Sequence, residues 1–74
     1  MKEPEVVSVG YMKVDKLSKL IEYAEREMEL RVLSESYRGR NFTDVYYKLG
    51  PLRPAGKQGQ YYAKITVMGT KKEI

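Results

Sequence analysis

Tyrosine and lysine alternate in the two segments of the chain that have the strongest β-strand composition. Tyr46 and Lys48 lie two residues apart in the first segment. Tyr62 and Lys64 repeat this spacing in the second. Residues two apart on a strand share one face of a sheet. Aromatic rings can stack on unpaired bases while ammonium groups neutralise phosphates, at about 1–3 kcal/mol per stacked base. The alternation therefore predicts a surface that binds nucleic acid.

Other residues extend this predicted surface. Phe42 has the same parity as Tyr46, and we expect it on the same face of the strand. A basic turn around Gly39 and a loop at residues 50–60 add cations, and their glycines allow backbone amides to approach phosphate closely. The candidate nucleic-acid or partner-binding residues are Arg38, Arg40, Phe42, Tyr46, Lys48, Arg53, Lys57, Tyr62 and Lys64.

The same residue types also have less specific explanations. Tyrosine is favoured in strands, and Tyr–Lys neighbours across strands are common on solvated and on protein-binding sheets. Tyr47 and Tyr61 have the opposite parity and are expected in the core. Contact with a larger protein is therefore the main competing interpretation of this surface.

Catalysis has little support in the sequence. The chain contains no Cys and no His, so it lacks the commonest zinc ligands and the usual general base near neutral pH. The glutamates between residues 22 and 29 lie in a charge-rich stretch where solvated ion pairs explain them. The loop at residues 50–60 lacks the Walker spacing, because Gly56-Lys57 is followed by Gln58. We expect no catalytic residue, no metal and no cofactor, and predict that the protein is not an enzyme.

Length and charge describe one small domain with two unlike halves. The chain has 74 residues and a net charge of +4, of which residues 1–36 contribute −2 and residues 37–74 contribute +6. This asymmetry indicates that one side faces something anionic. There is no apolar signal segment and no apolar run near the ~20 residues of a membrane span. We therefore expect a soluble cytoplasmic protein with no membrane partner.

The elements that must position the candidate surface are one helix and three strands. Strands are predicted at residues 6–12, 42–49 and 61–68, and an amphipathic helix at residues 14–33 with Asp15 as its N-cap. The apolar stripe of this helix contains Val14, Leu17, Leu20, Ile21, Ala24, Met28 and Val32. Tyr23, Leu30 and Leu33 fall on its far side, as a candidate partner surface. In the alternative interpretation, the helix ends near residue 29, and residues 30–37 form an extra strand turning through residues 38–41.

The predicted fold is an α+β domain with a single-layer β-α-β-β sheet and one helix packed on one face. Residues 50–60 are expected to form a flexible loop, and residues 1–5 and 70–74 to be frayed ends. On the helix side, the expected core residues are Leu17, Leu20, Ile21, Ala24 and Met28. On the sheet side, they are Val7, Val9, Val45, Tyr47, Leu49, Ala63, Ile65 and Val67.

Two classes of function remain after these exclusions. The first is a small non-enzymatic nucleic-acid-binding protein, with DNA and RNA both open. The second is a protein-binding adaptor or inhibitor of a larger machine, such as a transcription or defence complex, including one encoded by a mobile element. A homo-oligomer whose subunits cover one another's open sheet faces is a third hypothesis.

Overall fold

The computed structural model describes residues 3–56 and 59–72. Their order is β1 (Glu5–Val14), a short 3-10 turn (Leu17–Lys19), α1 (Leu20–Tyr37), β2 (Phe42–Pro54) and β3 (Tyr61–Lys71). The strands form one antiparallel sheet in the order β1-β3-β2, and α1 packs against one of its faces. The predicted α+β class and β-α-β-β order are confirmed.

The central strand β3 follows the predicted alternation closely. Ala63, Ile65 and Val67 are buried beneath α1, whereas Tyr62 and Lys64 are exposed on the opposite face. β3 has a neighbour on each side, so regular pairing fixes the orientation of its residues along most of its length. We call the sheet face that contacts α1 the inner face and the opposite face the outer face.

The edge strands depart from simple alternation because both contain β-bulges. In β2 the pairing with β3 shifts between Thr43 and Tyr46, where Asp44 has a positive φ of 53°. The extra residue returns Phe42 to the inner face, where it is 8% exposed. The predicted outer position of Phe42 is therefore wrong.

A bulge in β1 has the same consequence for the opposite edge. The pairing shifts between Val6 and Ser8, and the extra residue, Val7, turns into the core. Val9 then pairs with Thr66 on the outer face and is 55% exposed. Its predicted place in the core is wrong. Met12 and Val14, further along β1, occupy the core instead.

The helix begins later than predicted. Val14 is the last residue of β1, fully buried opposite Tyr61, and Lys16 is still extended with φ −139°. Asp15 is not a helix cap; its Oδ1 accepts a hydrogen bond of 3.4 Å from the Tyr23 hydroxyl. The predicted helix start and N-cap are wrong because burial at the sheet keeps this segment extended.

The helix ends later than predicted, and residues 30–37 are helical rather than an extra strand. Gly39 has φ 80°, and its N–H donates to the Ser36 carbonyl at 3.0 Å. The Arg40 N–H donates to the Glu35 carbonyl at 2.9 Å. These two bonds form a Schellman motif, in which glycine takes the left-handed conformation that ends the helix.

The core-facing stripe of α1 is centred on Ala24, which is fully buried, with Leu20, Tyr23, Met28 and Val32 packed around the core. Leu17 and Ile21 were predicted to belong to this stripe, but both are exposed. Tyr23, predicted on the far side, packs against the core instead. The 3-10 turn before Leu20 breaks the 100° periodicity that placed Leu17 in the stripe.

The predicted loop and frayed ends are shorter in the structure. β2 continues to Pro54, and the turn is closed by a 3.0 Å bond from the Ala55 N–H to the Gln60 carbonyl. Glu5, Thr70 and Lys71 belong to strands. Residues 3, 4 and 72 are described and belong to no strand, whereas residues 1–2 and 73–74 lie outside the described residues, as does Lys57. Within residues 3–56 and 59–72, no helix has the length and apolar character needed to cross a membrane.

Candidate nucleic-acid interface

The outer face is an open surface on which the pairing of the strands places side chains in rows. The rows run from β1 through β3 to β2. In order along the sheet they are Val6–Met68–Tyr46, Val9–Thr66–Lys48, Tyr11–Lys64 beside Gly50, and Lys13–Tyr62–Arg53. The first row is apolar apart from the Tyr46 hydroxyl, the second contains one apolar residue, Val9, and one cation, Lys48, and the last two combine tyrosines with cations.

The last two rows define what we call the basic end of the outer face, formed by Tyr11, Lys13, Arg53, Tyr62 and Lys64, all of them exposed. Tyr11 pairs with Lys64, and Lys13 pairs with Tyr62, so rings and ammonium groups form a chequered pattern. The two rings are diagonal neighbours, which are about 7–8 Å apart in antiparallel sheets and within reach of aromatic side chains. A chain of bases and phosphates can therefore meet both groups within a short distance.

Gly50 shapes the middle of this surface. It lies in the second bulge of β2, between Leu49 and Leu52, opposite Lys64. A Cβ at Gly50 would lie 3.1 Å from the Lys64 Cβ and 3.9 Å from its Cδ. The missing side chain leaves room for the aliphatic part of Lys64 to lie across β2, and its ammonium group remains exposed.

The charged side chains at the paired positions of the outer face are all positive. No acidic residue of the described chain occupies a paired position on the outer face, and Asp44 lies in the β2 bulge. Among residues 3–56 and 59–72, no carboxylate lies within 4 Å of the four outer-face cations, Lys13, Lys48, Arg53 and Lys64. Within the described part of the chain, these four cations therefore have no carboxylate at ion-pair distance, and their charge is presented to solvent.

The structure brings together five of the predicted candidates on this face: Tyr46, Lys48, Arg53, Tyr62 and Lys64. Tyr46 stands at the apolar end, in the row that contains Val6 and Met68. The predicted face is thus present, with its cations concentrated toward the β2–β3 turn and its apolar groups at the other end.

Arg38 and Arg40 lie elsewhere, at the end of α1. The Arg40 guanidinium lies 3.2 Å from Glu35 and 4.0 Å from Glu5, and its Cζ is 5.7 Å from the centre of the Phe42 ring. Arg38 is 3.9 Å from Glu35. Arg40 thus joins α1, β1 and the start of β2 through ion-pair and cation–π contacts, which gives it a structural role.

Tyr11 and Lys13 were missed as candidates. The predicted β1 ended at Met12, and Val7 and Val9, which alternate with Tyr11, were assigned to the core; Lys13 was left in a connection. The alternation of Val9, Tyr11 and Lys13 was nevertheless visible, and a strand extended by two residues would have placed Lys13 beside Tyr11. The site is an exposed surface whose side chains are brought together by the register of the strands, and it is not a cleft.

Comparison of the chain with protein-family models, with curated proteins and with solved structures gives no match.

Proposed function

We propose that this protein is a small non-enzymatic nucleic-acid-binding protein that uses the basic end of its outer face. The observation that carries the proposal is the exposed, chequered arrangement of two tyrosines and three cations, Tyr11, Lys13, Arg53, Tyr62 and Lys64. No carboxylate of the described residues lies within 4 Å of these three cations. Lys48 extends the positive surface along β2.

The chemistry of binding follows from these groups. The ammonium and guanidinium groups contact phosphates, which releases condensed counterions and makes affinity fall steeply with salt. Tyr11 and Tyr62 provide ring faces on which unpaired bases stack, with little dependence on base identity. Phosphate contacts position the strand without reading its sequence, so we expect weak sequence specificity and a preference for single strands.

The test is fluorescence anisotropy with labelled single-stranded and double-stranded oligonucleotides over a salt series. The variant Lys13→Gln/Arg53→Gln/Lys64→Gln removes three outer-face charges. The control Lys19→Gln/Arg26→Gln/Arg31→Gln removes the same charge from the helix side. Each lost phosphate contact lowers the salt slope by about 1, so the first variant should lose most of its slope and at least about tenfold in affinity at low salt.

The control should bind like the parent protein if the site is on the sheet. Equal losses in both variants would indicate attraction by net charge alone, and no binding by the parent protein at low salt would refute the proposal.

The second candidate, a protein-binding adaptor, is favoured by the apolar end of the outer face, where Val6, Val9 and Met68 adjoin Tyr46. Loss of partner capture on Val9→Lys would support that function.

A further inference from the structure

Three cations of the outer face follow one strand of the sheet. Lys48 and Arg53 project from β2, in the second and fourth rows. In the third row β2 has Gly50, and the Lys64 side chain reaches toward it from β3, with its Cδ 3.9 Å from the place of a Gly50 Cβ. Lys48, Lys64 and Arg53 therefore place one cation in each of three successive rows over β2. We call these three residues the cation line.

The groups on which bases can stack lie to the other side of the cation line. Tyr62 stands on β3 in the fourth row and Tyr11 on β1 in the third, and they are 43% and 71% exposed. Val9 follows on β1 in the second row. Lys13, at the β1 edge of the fourth row, is the one cation on this side among the paired positions described. An unpaired nucleic-acid strand has the same arrangement, with a line of phosphates and its bases free to lie to one side.

The spacing of the rows suits consecutive nucleotides of an extended strand. Along β3, successive rows are two residues apart, which is about 6.7 Å in an antiparallel sheet. A single strand whose bases are unstacked extends to roughly twice the ~3.4 Å rise per nucleotide of a stacked strand. One nucleotide therefore corresponds to one row, and the cation line corresponds to three consecutive nucleotides.

The first row continues this series without a cation. It contains Val6, Met68 and Tyr46, and Tyr46 stands on β2, in the row beyond Lys48. A fourth base that reaches this row meets an aromatic ring and a thioether. Contact in this row therefore adds stacking to the binding energy without adding dependence on salt.

We propose that the outer face binds an extended single strand of four nucleotides along β2, with its phosphates on the cation line and its fourth base on Tyr46. This proposal rests on the nucleic-acid-binding function proposed above, and it names the ligand as a short unpaired segment with one nucleotide per row. A duplex is disfavoured, because its bases are stacked on one another and its rise per nucleotide is about half the spacing of the rows.

The first test measures the length of strand that the surface holds. A labelled hexathymidylate bound to the protein is displaced by unlabelled oligothymidylates of two to seven nucleotides, and anisotropy gives their affinities. Affinity should rise with each nucleotide up to four. Beyond four, affinity divided by the number of four-nucleotide registers should stay constant within about twofold, because no further row is available. A plateau at two nucleotides, or a continued rise per register beyond four, would overturn the proposal.

The second test removes the ring at the far end of the path. Tyr46→Ala should lower affinity for the tetranucleotide at least about fivefold, by the same factor at low and high salt, because a stacking contact is lost and no charge is. Affinity for the dinucleotide should not change, since two nucleotides bind where the cations are most numerous, in the third and fourth rows. Tyr37→Ala, which removes an 84% exposed ring from α1, is the matched control and should affect neither ligand.

The third test removes the cation that lies outside the basic end. Lys48→Gln should lower the salt slope for the tetranucleotide by about 0.7, the value for one phosphate contact on a single strand, and should leave the dinucleotide unaffected. The control Lys71→Gln removes an exposed lysine of β3 that pairs with Phe42 and has the parity of the inner face. This control should keep the slope of the parent protein. Thermal unfolding of each variant verifies that it folds.

Failure of the four-row path and failure of the proposed function give different results. If the parent protein binds oligonucleotides but Lys48→Gln and Tyr46→Ala have no effect at any length, the path is wrong and binding at the basic end stands. If the parent protein binds no oligonucleotide at low salt, both proposals are refuted.

Discussion

The two solvent-facing sides of the molecule handle positive charge differently. On the helix side, Lys19 and Arg26 both lie within 4 Å of Glu22, and Arg31 lies 2.7 Å from Glu27. On the outer face of the sheet, Lys13, Arg53 and Lys64 have no carboxylate of the described chain at that distance. The helix side therefore neutralises its cations locally, and the sheet side presents them.

The difference follows from geometry as well as composition. A helix brings residues three and four apart together, so a sequence that mixes Glu with Arg pairs its charges automatically. A strand places successive residues on opposite faces, and its neighbours come from distant parts of the chain. Whether positive charges on a sheet lie near carboxylates therefore depends on the register of the strands. For this reason the unpaired cations of the sheet are more informative about function than the paired cations of the helix.

The largest expected effect is on the free energy of unfolding, and it tests which face of the sheet Phe42 and Tyr46 occupy. Phe42→Ala removes a buried ring and should lower the free energy of unfolding by about 3 kcal/mol. Tyr46→Ala removes an exposed ring and should cost less than about 1 kcal/mol. Urea unfolding followed by circular dichroism measures both. Equal costs would contradict the bulge at Asp44 that separates the two rings.

A smaller effect compares one exposed tyrosine from each side. Tyr62→Ala should weaken binding of a short single-stranded oligonucleotide by about 1–3 kcal/mol, because one stacked base is lost. Tyr37→Ala, on the helix side, should leave that affinity unchanged. Anisotropy titration at fixed salt measures both variants. If both substitutions had the same effect, stacking on the outer face would be excluded as the source of affinity.

The smallest effect concerns the conformation of Asp44, whose φ of 53° is left-handed. At such a position Asp44→Gly should stabilise the fold by about 0.5 kcal/mol, and Asp44→Val should destabilise it by about 1–2 kcal/mol. In a regular strand the order would be reversed, since valine is favoured there and glycine is not. The sign of the difference in melting temperature between the two variants therefore tests the bulge directly.

The sequence correctly predicted those elements in which the side chains alternate regularly between the two faces of the sheet. The alternation of β3 was predicted correctly because a central strand is paired on both sides. The predictions for the edge strands failed at Phe42 and Val9, because a bulge adds a residue without changing composition and depends on what packs against it. Gly69 shows this dependence: a Cβ there would lie 3.0 Å from Val45 and 3.1 Å from Phe42. Glycine at that position allows the bulged strand to close over the core.

The two ends of the helix differ in how far the sequence could place them. Its C-terminus carries a signal that the prediction did not use, since Gly39 is a standard stop residue that places the end near residue 38. Its N-terminus carries none, because Val14 is a good residue for either element and only burial against the sheet keeps it in β1. In the candidate site, the Tyr–Lys pairs of β2 and β3 could be predicted from the sequence. Their neighbours on β1 could be placed beside them only from the register between β1 and β3.

The bulges in the two edge strands have a further consequence for how molecules of this protein meet one another in concentrated solution. An unbroken edge strand offers a row of free N–H and C=O groups on which another chain can add itself and begin an aggregate. β1 is interrupted at Val7, and β2 is interrupted twice and contains Pro51 and Pro54, which have no N–H to donate. The irregularities that sort side chains between the two faces thereby also make the edges of this small, tyrosine-rich sheet poor templates for a further strand.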